Sequence, residues 1–213
     1  MGAGTELESM LRDVGVKPTY PWSYYFAICS TLFTSFCSCM VIAAFETFFM
    51  YHTQHIWGWS VDQAALAVAA VLSPLLPVLL MVRFFTKYED RLVVAGALAI
   101  AVVNYVWMYQ YCSIVDHKIA DVVLFFTGGV ITMCSVMMGL VFNTACQTKL
   151  TPPEHRQVLL GVNGFCFMGG RGVGAVLGTL GWTQSSFAGL CMGAVGCVLA
   201  VHLVNYRNVK DSK

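Results

Sequence analysis

The stretch Trp22–Met50, WSYYFAICSTLFTSFCSCMVIAAFETFFM, decides the fold because it is long, apolar and carries a single charged side chain, Glu46. A helix needs about 20 apolar residues to cross about 30 Å of hydrocarbon. Five more apolar runs of sufficient length follow, namely Val61–Val82, Leu92–Tyr111, Ile119–Ala145, Val158–Leu180 and Ser185–Tyr206. The sequence therefore predicts an all-α membrane protein with six transmembrane helices.

Composition excludes several other classes. Hydrophobic residues make up 58% of the chain and charged residues 11%, whereas about a quarter of the residues of a soluble domain are charged. A net charge of +1 without a basic cluster argues against nucleic-acid binding. Eight of the nine cysteines lie in or at the ends of the apolar runs, where cysteine behaves as a small hydrophobe, so no disulfide framework is expected.

The basic residues between the runs predict the topology. Only Lys118 falls clearly on one side of the predicted membrane, and Arg171 lies inside a run. The other side holds Arg12, Lys17, Arg83, Lys87, Arg91, Lys149, Arg156, Arg207, Lys210 and Lys213. By the positive-inside rule, both termini face the cytoplasm. We therefore expect a cytoplasmic amphipathic linker at 1–20, a six-helix bundle at 21–206 and a cytoplasmic tail at 207–213.

Three spans followed by three of opposite orientation suggest a three-plus-three inverted repeat, an arrangement known from transporters. The second run contains Ser73-Pro74-Leu75-Leu76-Pro77. Proline removes a backbone donor and clashes with the preceding turn, so a kink is expected there. The carbonyls that lose their donor need other partners within the membrane, and Ser73 is a candidate.

Small residues recur at intervals of four in the last two runs. They are Gly170, Gly174 and Gly178 in the fifth run, and Gly189 and Gly193 in the sixth. Such stripes let helix backbones approach closely. The pattern predicts helix packing, with these two helices as candidate partners for one another.

Glu46 and Arg171 are the charges most clearly inside the apolar runs. A charge near a helix centre costs about 2.5–3.5 kcal/mol on insertion scales, so each side chain needs a partner or water. The guanidinium fork suits a carboxylate or an oxyanion. Arg171 therefore either coordinates an anion or forms a structural pair with a carboxylate. A third alternative is a pair that opens when substrate or a proton arrives, with Glu46 as the protonation site.

A stripe of polar side chains follows the first helix. Tyr24, Thr31, Ser35, Ser38 and Glu46 lie at spacings close to multiples of 3.6. The stripe predicts a cavity wall, although hydroxyls can instead bond back to carbonyls of their own helix. We take Ser35, Ser38, Glu46 and Arg171 as candidates for a substrate or proton pathway.

His52 and His55 precede Trp57 and Trp59 in the first outer connection. Two histidines at this spacing could bind a metal or sense pH, but we expect interfacial polar residues within an aromatic belt. No nucleophile–base pair or metal-ligand cluster has supporting spacing. The sequence therefore predicts neither an enzyme nor a cofactor or metal site.

The loop Lys87–Arg91 resembles a motif of the major facilitator superfamily. That family carries Gly-x-x-x-Asp-Arg-x-Gly-Arg-Arg between its second and third spans, in a loop involved in conformational change. Here Asp90 and Arg91 match, whereas Thr86 replaces the leading glycine and no second basic pair follows. This partial match is similar to the carboxyl-terminal half of such transporters.

Three further stretches resemble a narrower branch, the lysosomal ceroid-lipofuscinosis-type and vacuolar SPX-type phosphate transporters. They are Phe45-Glu46-Thr47, Trp59-Ser60 and Gly169-Gly170-Arg171. The resemblance implies a lysosomal or vacuolar membrane. No SPX domain is present in the sequence, which leaves phosphate specificity open.

If the resemblance holds, the six spans are helices seven to twelve of a twelve-helix transporter. The first and fourth spans would line the pathway, bringing Thr127, Ser135 and Asn143 near the cavity with Glu46. The second and fifth would face the missing amino-terminal half or a second six-helix copy, with Arg171 near that interface. We expect alternating-access transport of a small solute, an anion such as phosphate or chloride. The alternative is a passive anion channel or a non-transporting scaffold.

Overall fold

The computed structural model describes residues 22–85, 87–112, 118–180 and 182–205. The predicted linker and tail lie outside them. The described residues form seven α-helices and one short 3-10 helix, Pro153–His155, and contain no strand. The α-helices are α1 Trp22–His55, α2 Val61–Leu72, α3 Leu75–Phe85, α4 Asp90–Cys112, α5 Lys118–Leu150, α6 Arg156–Gly178 and α7 Gln184–Val204.

Six spans are long and apolar enough to cross a membrane, as predicted, with α2 and the start of α3 together forming the second. The first and fourth spans are longer than their apolar runs, because α1 has 34 residues and α5 has 33. At 1.5 Å per residue, each is about 50 Å long and projects beyond the hydrocarbon. Glu46 lies more than two turns before the end of α1 at His55.

The predicted break at Pro74 separates α2 from α3. Ser73 Oγ donates to Ala70 O at 2.9 Å, and Ala70 is the residue whose carbonyl an i→i−4 bond from Pro74 would have reached. Pro77 likewise has no backbone N–H to donate to Ser73 O, which accepts a hydrogen bond from Leu76 N at 3.3 Å instead. Local hydrogen bonds thus satisfy the carbonyls that both prolines leave free.

The glycines of α6 pack closely, as predicted, but their partner is α1. A Cβ added to Gly170 or Gly174 would collide with the backbone oxygen of Phe36 or Met40, and one on Gly178 would lie 2.6 Å from Ala44 O. The glycines of α6 and the α1 residues that they contact both advance by four residues in the same direction along the chain. Helices α1 and α6 therefore run parallel where they cross. Gly189 of α7 only makes an ordinary contact with the ring of Tyr109, and Gly193 has open space beside it.

Helix α1 lies at the centre of the bundle and contacts α2, α5, α6 and α7, while α4 packs on α5 and α7. An aromatic cluster joins α1, α5 and α7, in which Phe48 stacks on Phe187 with ring centroids 4.1 Å apart. The buried share of each apolar segment is 61% in α1 and 50% in α5, 39% in α4 and 33% in α7, but 22% in α6 and 17% in the second span. The second and fifth spans therefore leave most of their surface outside the bundle.

Candidate functional site

An ion pair joins the two charges that the sequence analysis placed inside the spans. Arg171 Nη2 donates to Glu46 Oε2 at 3.0 Å. The neighbouring Gly170 and Gly174 bring the α6 backbone against α1, and this close crossing places the Arg171 guanidinium within reach of the carboxylate. The structural arrangement of the pair is thus a consequence of the glycine stripe.

The pair is open on one side of the bundle. The Arg171 side chain is 53% exposed and that of Glu46 is 25% exposed. Glu46 also lies beside Val68 and Leu72 of α2 and Met133 of α5. The site therefore occupies the surface of α1 between α2 and α6, the two least buried spans. Arginine carries five N–H donors, so a ligand approaching this surface can bind donors that Glu46 does not use.

The hydroxyls of the predicted stripe lie elsewhere. Thr31, Ser35 and Ser38 are buried inside the bundle. Thr31 Oγ1 donates to Ile28 O at 2.8 Å, while Ser35 Oγ accepts from Asn143 Nδ2 at 2.9 Å. Because Glu46 is on the open side and these hydroxyls are not, the stripe does not form one continuous wall.

Thr127 and Ser135 also lie away from the ion pair. Thr127 Oγ1 donates to Val123 O at 2.8 Å, and Ser135 Oγ donates to Ile131 O at 2.7 Å. Each lines an apolar groove between α4 and α5, of about 600 Å³ beside Thr127 and about 630 Å³ beside Ser135. The structure thus brings Glu46 to Arg171 and Ser35 to Asn143, but places Thr127 and Ser135 apart from both pairs.

The two residues of the loop motif bind different partners. Asp90 Oδ2 forms an ion pair with Lys149 Nζ, which ties the start of α4 to the end of α5. Arg91 Nη2 bonds Glu89 Oε2 at 2.6 Å, and Arg91 O bonds His202 Nε2 of α7 at 3.0 Å. The loop therefore connects three helices at their predicted cytoplasmic ends.

Replacing Lys149 by alanine is expected to lower the free energy of unfolding by less than about 1 kcal/mol, because ion pairs with a solvent-exposed partner contribute little. The Lys149 side chain is 52% exposed and that of Asp90 is 11% exposed, but Asp90 is the first residue of α4, where the helix dipole also stabilises its charge. Chemical denaturation in detergent micelles measures the change, and Lys87→Ala, which removes another exposed lysine, provides the control. A loss of several kcal/mol confined to Lys149→Ala would contradict the prediction.

His52 and His55 lie in different surroundings. His52 is buried within the bundle, with its Nε2 2.6 Å from Gln184 Nε2, and its position at the membrane interface stays a prediction. His55 is exposed and stacks on Tyr51 with ring centroids 4.2 Å apart. Among the residues that the structure describes, no group of three or more His, Cys, Asp and Glu side chains could hold a metal ion.

Sequence reasoning missed a set of buried amides in the apolar spans. Asn104 Nδ2 donates to Gly128 O and Thr132 Oγ1, both at 2.8 Å. Gln147 Nε2 donates to Asn163 Oδ1 at 3.2 Å. The signal that could have found Gln147 is its place four residues after the predicted site residue Asn143, since residues four apart share one face of a helix.

The length and apolar composition of six helices identify the chain as a multi-pass membrane protein that associates with the lipid bilayer. Comparison with family models, with curated proteins and with solved structures finds no match for the chain.

Proposed function

We propose that the protein transports a small anion, such as phosphate or chloride, across a membrane by alternating access. The observation that carries the proposal is the Glu46–Arg171 pair on the open side of the bundle. Lysosomal and vacuolar membranes are the proposed locations, on the resemblance of the Glu46 and Arg171 stretches to transporters of those organelles.

The exposure of Arg171 argues that this side of the bundle does not contact lipid. A charged side chain in hydrocarbon costs about 2.5–3.5 kcal/mol on insertion scales, and charges inside spans therefore face protein or a water-filled cavity. We propose that the surface of α2 and α6 around the pair faces such a cavity, covered by a preceding six-helix half or by a second copy of the chain.

The distribution of burial supports an inverted repeat. The most buried spans are the first and the fourth, the intermediate ones are the third and the sixth, and the most exposed are the second and the fifth. In an inverted repeat the first span corresponds to the fourth, the second to the fifth and the third to the sixth, and the two spans of each such pair have similar buried shares. By the same correspondence, a contact between the first and fifth spans should be matched by a contact between the fourth and second spans, and both contacts occur.

In the proposed mechanism an anion competes with Glu46 for Arg171. The guanidinium fork binds an oxyanion as well as it binds a carboxylate. Protonation of Glu46 removes the competing charge, so proton binding and anion binding favour the same state. Access then alternates when the covering half rocks over the pair, as in other transporters with midplane sites.

The second candidate is a passive anion channel or a non-transporting scaffold. The close backbone crossing of α1 and α6 favours the scaffold, because the ion pair lies beside this tight helix contact and could simply stabilise it. In a scaffold the ion pair contributes only to stability, whereas in a transporter Arg171 of the pair also binds the substrate.

Counterflow distinguishes these candidates. The full chain is reconstituted into liposomes loaded with unlabelled phosphate or chloride, and uptake of the labelled anion is followed. A transporter gives saturable uptake that the internal anion accelerates. A channel gives flux without saturation or acceleration, a scaffold gives the flux of protein-free liposomes, and either result rejects the proposal.

A further inference from the structure

A second polar site lies inside the bundle, where α1, α5 and α6 meet. Asn143 and Gln147 are one turn apart on α5, and Ser35 and Asn163 face them from α1 and α6. All four side chains are buried, with exposures between 0 and 3%. The cluster is separate from the ion pair, because Glu46 and Arg171 lie on the open side.

The nitrogen atoms of the two α5 amides bind protein, whereas their oxygen atoms do not. Asn143 Nδ2 donates to Thr31 O at 2.8 Å and to Ser35 Oγ at 2.9 Å, and Gln147 Nε2 donates to Asn163 Oδ1. Asn143 Oδ1 and Gln147 Oε1 are buried without a hydrogen-bond partner in the described part of the chain. A buried acceptor without a partner costs about 1–3 kcal/mol, and an ion or a water is a common explanation.

The orientation of Asn143 is fixed by its contacts. Exchanging its amide nitrogen and oxygen would place the oxygen against the carbonyl of Thr31, where two acceptors would repel one another. Both N–H donors of Asn143 are used on α1. Its free oxygen therefore belongs to the site and does not result from the choice of amide orientation.

Position and charge favour a small monovalent cation. Gln147 lies in the last turn of α5, where the helix dipole is negative, whereas Asn163 lies about two turns inside α6, beyond the reach of the positive end of that helix. Its oxygen ligands are neutral, and neutral oxygens do not offset the dehydration of a divalent ion, whose sites use carboxylates. Of the two basic side chains nearby in sequence, Lys149 pairs with Asp90, and Arg156 is exposed, with Nε donating to Thr151 O at 3.2 Å.

We infer that Asn143 Oδ1 and Gln147 Oε1, together with Ser35 Oγ, bind a Na⁺ ion between α1, α5 and α6. The two amide oxygens have no protein donor, and an ion bound to them and to Ser35 Oγ links α5 to α1. This inference concerns binding alone and does not depend on the transport of an anion.

Binding of radiolabelled Na⁺ to the purified full chain in lipid nanodiscs tests the site. We expect saturable binding that unlabelled Na⁺ displaces and choline does not. Asn143→Ala and Gln147→Ala are expected to weaken binding by about tenfold or more, since each removes an oxygen ligand of a charged group. The thermal unfolding midpoint should rise with Na⁺ in the wild type and not in these variants.

Asn104→Ala is the matched control, because Asn104 is a buried asparagine whose Oδ1 also lacks a partner but which lies between α4 and α5. It should retain Na⁺ binding. If Asn143→Ala does not fold, Gln147→Glu keeps the volume and adds a negative charge, and it should lower the half-saturating Na⁺ concentration. Absence of saturable Na⁺ binding to the wild type would mean that water donates to the two oxygens, and it would overturn the inference. Unchanged Na⁺ binding in both alanine variants would overturn it as well.

Discussion

Replacing Gly174 by alanine is expected to lower the free energy of unfolding by about 3 kcal/mol, because overpacking a close contact forces the backbones apart. The added Cβ would collide with Met40 O and lie 2.9 Å from Ala44 N. Both atoms belong to the α1 backbone and cannot rotate away as a side chain could. Denaturant titration of the purified protein in micelles, followed by helical circular dichroism, measures the loss.

Gly172→Ala is the control for this prediction. Gly172 lies on the same helix, two residues earlier, and a Cβ there would have no atom within 4 Å. Since alanine is favoured over glycine inside a helix by about 1 kcal/mol, this variant should be as stable as the wild type or more so. Equal stability of the two variants would contradict the close crossing of α1 and α6.

Replacing Arg171 by alanine is expected to abolish anion uptake while leaving the protein folded. The proposed substrate binds the guanidinium, so its removal takes away the cation that pairs with Glu46. The pair is partly open, with Arg171 53% exposed, so we expect a stability loss of about 1 kcal/mol at most. Uptake into liposomes and the unfolding midpoint of the same preparation measure the two effects separately.

Arg171→Lys and Glu46→Gln refine this test. Lysine keeps the charge but not the planar fork, so uptake should weaken without disappearing. Glutamine resembles the protonated carboxyl group and does not compete for Arg171, and Glu46→Gln should therefore bind anion but lose the dependence of uptake on a proton gradient. Unchanged uptake in Arg171→Ala would remove this residue from the site, and a large loss of stability would favour the scaffold.

The spans and the proline break were predictable because they depend on local sequence. Length and hydropathy determine whether a helix can cross a membrane, and Pro74 cannot donate its backbone bond wherever it lies. The packing role of the α6 glycines was also predictable, but their partner was not. A glycine stripe accepts any helix backbone, and only the arrangement of all the helices selects α1.

The polar stripe on α1 illustrates a different limit. Ser35 and Glu46 are eleven residues apart, which places them within about 20° on a helical wheel. Their surroundings differ because the neighbours of α1 change along its length. Asn143 of α5 covers Ser35, whereas α2 and α6 leave Glu46 open. Helical periodicity identifies a face of the helix, but it does not show which part of that face another helix covers.

The separation of Glu46 and Arg171 along the chain has a consequence for biosynthesis. The two residues are 125 positions apart, and ribosomes add about 5–20 residues per second, so the arginine is made roughly 6–25 s after the glutamate. During that interval the nascent first helix carries its carboxyl group into the insertion machinery without the arginine. Early insertion therefore bears the cost of the unpaired carboxyl group, about 2.5–3.5 kcal/mol on insertion scales, and the α1–α6 crossing forms only after the fifth span leaves the ribosome.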